Sequence, residues 1–106
     1  MAGNIEPITF DEVAHINEPV HEEIIDTVNQ LIKQNFNYVL KESTVKIKDI
    51  FSNLKEKNFH YSATEILERG WLDIERLYEN AGWYVRYYSP SHNDVFEPYF
   101  YFSQNN

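Results

Sequence analysis

The chain has 106 residues, of which 42% are apolar, and carries 7 Phe, 8 Tyr and 2 Trp, enough large side chains to build a core and to exclude intrinsic disorder. It has no cysteine, which excludes a disulfide framework, a Cys-based zinc site and a thiol nucleophile and fits a reducing compartment. With 17 Asp and Glu against 9 Lys and Arg the net charge is −8, a poor match to nucleic acid, which is bound by neutralising phosphates with Lys and Arg.

The first residues, Met-Ala-Gly-Asn-Ile-Glu-Pro-Ile-Thr, have neither a basic start nor an apolar run, and no later stretch has membrane-spanning length. A soluble, cytoplasmic protein with no membrane partner is expected, folded as a single domain over residues 1–106. Thr9 and Glu12 have the spacing of a capping box, with Phe10, Val13 and Ile16 as apolar positions of a short first helical segment. Asn17-Glu18-Pro19 then reads as a cap followed by proline in a first turn. From there Val20, Ile24, Val28 and Leu31, flanked by Ile25, Ile32 and Phe36, form an apolar stripe at helical spacing. Residues 1–32 hold seven acids and no Lys or Arg; among them Glu22, Glu23 and Asp26 lie in the first turns of this helix, where they complement its dipole.

Residues 33–57 reverse the charge, with six lysines against three acids. Tyr38-Val39-Leu40 and the alternation at Val45 and Ile47 predict short extended pieces, amounting to one small strand. Ile47, Ile50, Phe51 and Leu54 follow an i, i+3, i+4, i+7 pattern, so a helix is expected over about 48–57. Ser62 and Glu65 offer a capping box for a third helix with Ile66 and Leu67 inside, interrupted by Gly70. Asp73 can cap a further helix whose inner face is Ile74, Leu77 and Tyr78 and which stops at Ala81-Gly82. Trp83 to Tyr88 and Val95 to Ser103 are rich in strand formers and flank the turn cluster Ser89-Pro90-Ser91-His92-Asn93-Asp94, which predicts an antiparallel hairpin. The fold class is therefore α+β: an N-terminal helix, two to three further short helices and a C-terminal antiparallel hairpin. This is a winged-helix-like element order with the 89–94 turn as the wing.

Nine aromatics fall between Trp83 and Phe102, and the period of two sorts them. Phe96, Phe100 and Phe102 share one face of the last strand, while Glu97, Tyr99, Tyr101 and Ser103 share the other. A phenyl ring has no polar atom and a phenol has one, so the Phe face should be core and the Tyr face partly wet. With Trp83 and Val85 joining the Phe face, Tyr84, Arg86, Tyr88, Tyr99 and Tyr101 form one exposed patch. Such a patch is either cross-strand packing of a hairpin, with Arg86 over a ring, or a recognition surface. Pairing of two copies through it is a further alternative.

Residues with catalytic or metal-binding potential are sparse. His15, Glu18, His21 and Glu22 lack metal-ligand spacing. Ser91, His92 and Asp94 are neighbours in one turn, whereas a catalytic triad needs rigid placement from separate segments. Gly3, Gly70 and Gly82 make no phosphate-cradling loop. No cofactor, metal or enzymatic activity is expected.

The stretch Ile66 to Phe102 resembles small proteins encoded by tailed bacteriophages. The likeness rests on Gly70-Trp71-Leu72-Asp73-Ile74-Glu75, Leu77-Tyr78-Glu79-Asn80-Ala81-Gly82-Trp83-Tyr84-Val85, Pro90, Glu97 and Tyr99-Phe100-Tyr101-Phe102. In that pattern a short helix ends in Ala-Gly-Trp and leads into an aromatic hairpin. The resemblance implies a viral accessory role in the host cytoplasm, either binding and blocking a host or defence protein or sequestering a nucleotide signal. Joined to the acidic charge, it gives the expectation of a basic protein partner met through Tyr84, Arg86, Tyr88, Tyr99 and Tyr101 and through the helix acids Glu22, Glu23 and Asp26. The alternative is a small-ligand binder that stacks a nucleotide base between hairpin aromatics, with Arg86 or Lys46 and Lys48 on its phosphate.

Overall fold

The apolar stripe folds as helix α1 (Glu22–Gln34) in a computed structural model that describes residue 7 and residues 19–104. The earlier segment with Phe10, Val13 and Ile16, its Thr9–Glu12 box, and Asn17-Glu18 lie outside the described residues. Helix α1 starts later than the proline signal predicts. His21 is its N-cap, in extended conformation, and its Nδ1 accepts the Glu23 N–H at 3.1 Å. Val20 therefore precedes the helix and packs on the core as a half-buried side chain. The buried face of α1 is Ile24, Thr27, Val28, Leu31 and Ile32.

Tyr38, Val39 and Leu40 do not extend into a strand. They form an exposed turn, held by Asn37, whose Oδ1 accepts the N–H groups of Val39 and Leu40, each at 2.9 Å. The strand comes just after, as β1 (Glu42–Lys46), with Val45 buried and Ile47 already in the next helix. Helix α2 (Ile47–Glu56) buries Ile50 and Leu54, as its spacing predicts. Helix α3 (Ala63–Glu68) opens with the expected reciprocal box between Ser62 and Glu65. Gly70 ends the stretch in the left-handed region at φ 71°. Leu67 is 59% exposed, so α3 buries Ile66 alone. In α4 (Glu75–Asn80) the N-cap is Ile74, with no side-chain cap bond, and Asp73 is not the cap. Tyr78 is buried, whereas Leu77 is 41% exposed.

Strands β2 (Trp83–Tyr88) and β3 (Tyr99–Gln104) form the predicted hairpin. β3 is shorter than the aromatic run: Val95 is fully exposed, and Phe96 lies outside both strand and core. β3 also pairs with β1, so the sheet has three antiparallel strands in the order β1-β3-β2. That element and strand order is winged-helix-like, with residues 89–98 in the place of a wing. At the wing tip Asp94 Oδ2 accepts from the Ser91 N–H at 3.0 Å and from its Oγ at 2.8 Å. These bonds favour the ionised form and hold the Asp94 carboxyl below its ordinary range.

The core lies between the helices and one face of the sheet. Val45, Val85, Phe100 and Phe102 point into it from the strands and meet Ile24, Val28, Ile50, Ile66, Trp71 and Ile74. The buried Ser43 hydroxyl donates to the Ile32 carbonyl at 2.9 Å, so the polar group that β1 places inside is satisfied and fastens α1 to the sheet.

Candidate interaction face

Alternation along the strands fixes what the other face of the sheet carries. In the β2–β3 register Tyr84 faces Ser103, Arg86 faces Tyr101, and Tyr88 faces Tyr99. In the β1–β3 register the same three β3 residues face Glu42, Thr44 and Lys46. Tyr84, Arg86, Tyr88, Tyr99 and Tyr101 thus stand together on one face, opposite the phenyl rings of Phe100 and Phe102. Tyr84 and Tyr88 are 40% and 42% exposed; Tyr99 and Tyr101, on the central strand, are half-buried. The helices pack on the opposite side, and among the described residues no element forms a second layer here.

The rings support one another. Tyr88 and Tyr99 stack at 5.1 Å with 24° between planes, Phe96 meets Tyr99 edge-on at 5.9 Å, and Tyr84 meets Tyr101 at 6.4 Å. The Arg86 guanidinium lies 5.6 Å from the centre of the Tyr84 ring, and its Nε–H donates to the Tyr84 hydroxyl. This is a preorganised surface: aromatic groups with few rotamers to lose, a delocalised cation, and phenol hydroxyls that can donate or accept. Because Tyr88 and Tyr99 are stacked on each other, they leave no slot for a planar base between them. Lys46 stands at the margin of the face, beside Tyr99, whereas Lys48 is paired with Glu97 at 3.0 Å.

The helix acids do not adjoin this face. Glu22, Glu23 and Asp26 are exposed on α1, which packs on the inner side of the sheet, so the core separates them from the tyrosines. Lys57 answers part of their charge, with Nζ 3.1 Å from Asp26 and 4.0 Å from Glu23, and donates to Thr27 Oγ1 at 2.9 Å. A second acidic group lies on α4. Partial burial, then Asp73 and Glu79, raise the Glu75 carboxyl above its ordinary range.

One cluster was not legible in the sequence. The His21 ring meets Phe59 at 4.9 Å and Trp71 at 5.2 Å, and the Arg69 guanidinium is 5.1 Å from both the Tyr61 and Trp71 rings. Trp71 is buried, and its Nε1–H has no hydrogen-bond partner among the described residues. The density of Phe59-His60-Tyr61 and Arg69-Gly70-Trp71 was a signal of aromatic packing, but nothing local tied either to His21. Nearby, an apolar groove of about 400 Å³ is walled by Phe51, Leu67, Leu72, Tyr87 and Phe100, with no carboxylate or imidazole in its lining. Among the described residues no group of three His, Asp or Glu can hold a metal ion, and His15 and Glu18 lie outside them. No helix among the described residues is long and apolar enough to cross a membrane. Compared with protein-family models, curated proteins and solved structures, the chain matches none.

Proposed function

We propose that the protein is a non-enzymatic, phage-type accessory protein that binds a basic host or defence protein through the outer sheet face and inhibits or modulates it. The observation that carries this reading is the layer of Tyr84, Arg86, Tyr88, Tyr99 and Tyr101 on one face of a three-stranded sheet, over which no other described residues pack as a second layer. Tyr and Arg dominate the energetics of protein interfaces, and the ring contacts described above hold them in place before any partner arrives. The charge of −8 selects a basic partner. The acids of α1 act on it at a distance, as a steering field, because they lie across the core from the tyrosines.

Two other ligand classes have less in their favour. A nucleotide would need a gap between rings, and the Tyr88–Tyr99 stack closes the nearest one. In a winged-helix layout nucleic acid is read by the helix before the hairpin. Here α3, α4 and their connection carry Glu65, Glu68, Asp73, Glu75 and Glu79 against Arg69 and Arg76, which would repel phosphate.

The test is affinity capture from host lysate with the wild-type chain and with Tyr84→Ala/Tyr88→Ala, both checked for equal melting temperature. The expected result is a basic protein retained by the first and lost by the second, with less retained at high salt. Equal retention by both chains, or no specific partner at any salt, overturns the reading.

A further inference from the structure

The hydrogen-bond parity of the sheet can be read from its margin. The Ile47 N–H donates to the Pro98 carbonyl at 3.1 Å, continuing the β1–β3 register by one pair. Hydrogen-bonded and non-hydrogen-bonded pairs alternate in an antiparallel ladder, so Val45–Phe100 and Ser43–Phe102 are bonded pairs. The main-chain groups of Tyr99, Tyr101 and Ser103 therefore point the other way, to Tyr88, Arg86 and Tyr84 of β2. What remains on the far side of β2 is the N–H and C=O of Trp83, Val85 and Tyr87.

The two margins of the sheet are treated differently. On β1 the same parity turns Glu42, Thr44 and Lys46 outward, and the chain itself covers part of that edge: Asn37 N–H donates to the Glu42 carbonyl at 2.7 Å, Glu42 N–H to the Asn37 carbonyl at 3.3 Å, and Asn35 Nδ2 to the Thr44 carbonyl at 2.8 Å. On β2 no such partner exists among the described residues. The strand, Trp-Tyr-Val-Arg-Tyr-Tyr, has no proline, no lysine and no bulge in its register with β3. These are the usual devices by which natural edges are blunted.

We propose that two copies of the chain pair antiparallel along β2, making one continuous sheet that runs β1-β3-β2-β2-β3-β1. The occupant is a second copy because the strand complements itself in one two-fold register, the one centred on Val85. There Val85 faces Val85 of the second copy, and Trp83 faces its Tyr87. All three outward residues of each strand find main-chain partners, and the apolar side chains meet on the core side. On the outer face Tyr84 then stands opposite Arg86 of the second copy, which extends the guanidinium–ring contact already present within each chain. The register centred on Arg86 sets two guanidinium groups directly opposite each other, a destabilising pair, and leaves Trp83 beyond the partner strand. The register centred on Tyr84 leaves Tyr87 unpaired. The inference stands apart from the proposed function, and it joins two tyrosine faces into a single platform.

The native chain has no cysteine, so introduced thiols report the register directly. In the Val85-centred register residues 84 and 86 of opposite copies form a non-hydrogen-bonded pair with Cα atoms about 4.5 Å apart, within disulfide reach. Identical positions are diagonal neighbours, about 7–8 Å apart, which is too far to bridge. The experiment is sedimentation of the wild-type chain over a concentration series, with mild oxidation of Tyr84→Cys alone, Arg86→Cys alone and the two mixed. The expected result is a concentration-dependent doubling of mass, and a disulfide-linked dimer that forms in the mixture but with neither variant alone. A monomer at every concentration, with no cross-link in the mixture, overturns the proposal. So does efficient cross-linking of Arg86→Cys by itself, or a monomer that gains mass only on adding an extended foreign peptide.

Discussion

Tyr78 joins two helices through one hydroxyl. It donates to Asn29 Oδ1 at 2.6 Å and lies 3.2 Å from the Ile25 carbonyl, while its ring packs edge-on against Phe102 at 5.4 Å. Burial, and then the charge of Asp26, push its pKa up from 10.0 to about 12. The folded state therefore resists ionisation more than the unfolded chain does. This group's stabilisation is fully present below pH 10 and is lost as pH rises toward 12. Tyr78→Phe keeps the ring and removes both effects. Chemical melts near neutral pH should show a loss of about 1 kcal/mol, the ordinary size for one hydrogen bond, and the difference from wild type should shrink between pH 10 and 12. A constant difference across that range would mean the hydroxyl is not held as described. Tyr78 was readable as inward from its spacing with Ile74, but Leu67 and Leu77 were misassigned by the same reasoning. Helices of six residues are too short for periodicity to choose among faces, and flanking turns settle which side chain is covered. Phe100 and Tyr99 separated correctly because strand alternation allows two directions only, and hydroxyl polarity decides between them.

At the scale of elements, the joints decide the fold more than the segments do. The Ser62–Glu65 box was legible because both partners are local in sequence and satisfy each other's orphan groups. The His21 cap was not, since imidazole is a rare acceptor at that position, and the proline before it gave a stronger local signal. Strand β1 was only faintly visible: its pairing with β3 spans more than fifty residues, beyond any local pattern. Gly82 was legible, and it carries a requirement that can be measured. It turns the end of α4 into β2 at φ +102°, a conformation L side chains rarely adopt, yet a Cβ built there meets nothing within 4 Å. Any cost of Gly82→Ala is thus backbone strain with no steric clash. A loss of roughly 1–2 kcal/mol in urea melts is expected, with the outer tyrosine face unchanged in its binding. Unaltered stability would show that the α4–β2 turn relaxes into another conformation without penalty.

For the whole molecule, the net charge of −8 enters every encounter, with a sign set by the other party. Toward a basic protein it attracts, and toward a second copy of the chain it repels. Salt weakens both, because the screening length falls from about 10 Å at 0.1 M to about 3 Å at 1 M. One titration should therefore move the two proposed associations in opposite directions: tighter pairing between copies as salt rises, and weaker capture of the proposed basic partner. The location of the acids adds a kinetic signature. Glu22, Glu23 and Asp26 lie across the core from Tyr84 and Tyr88, so they act on approach and hardly touch the docked state. Stopped-flow measurement should find the association rate with the proposed basic partner reduced roughly 10-fold or more by salt, while the dissociation rate stays nearly constant. Sedimentation over the same salt range should find the self-association constant rising. If salt drove both associations the same way, charges beside the contacts, rather than the charge of the whole molecule, would be setting them.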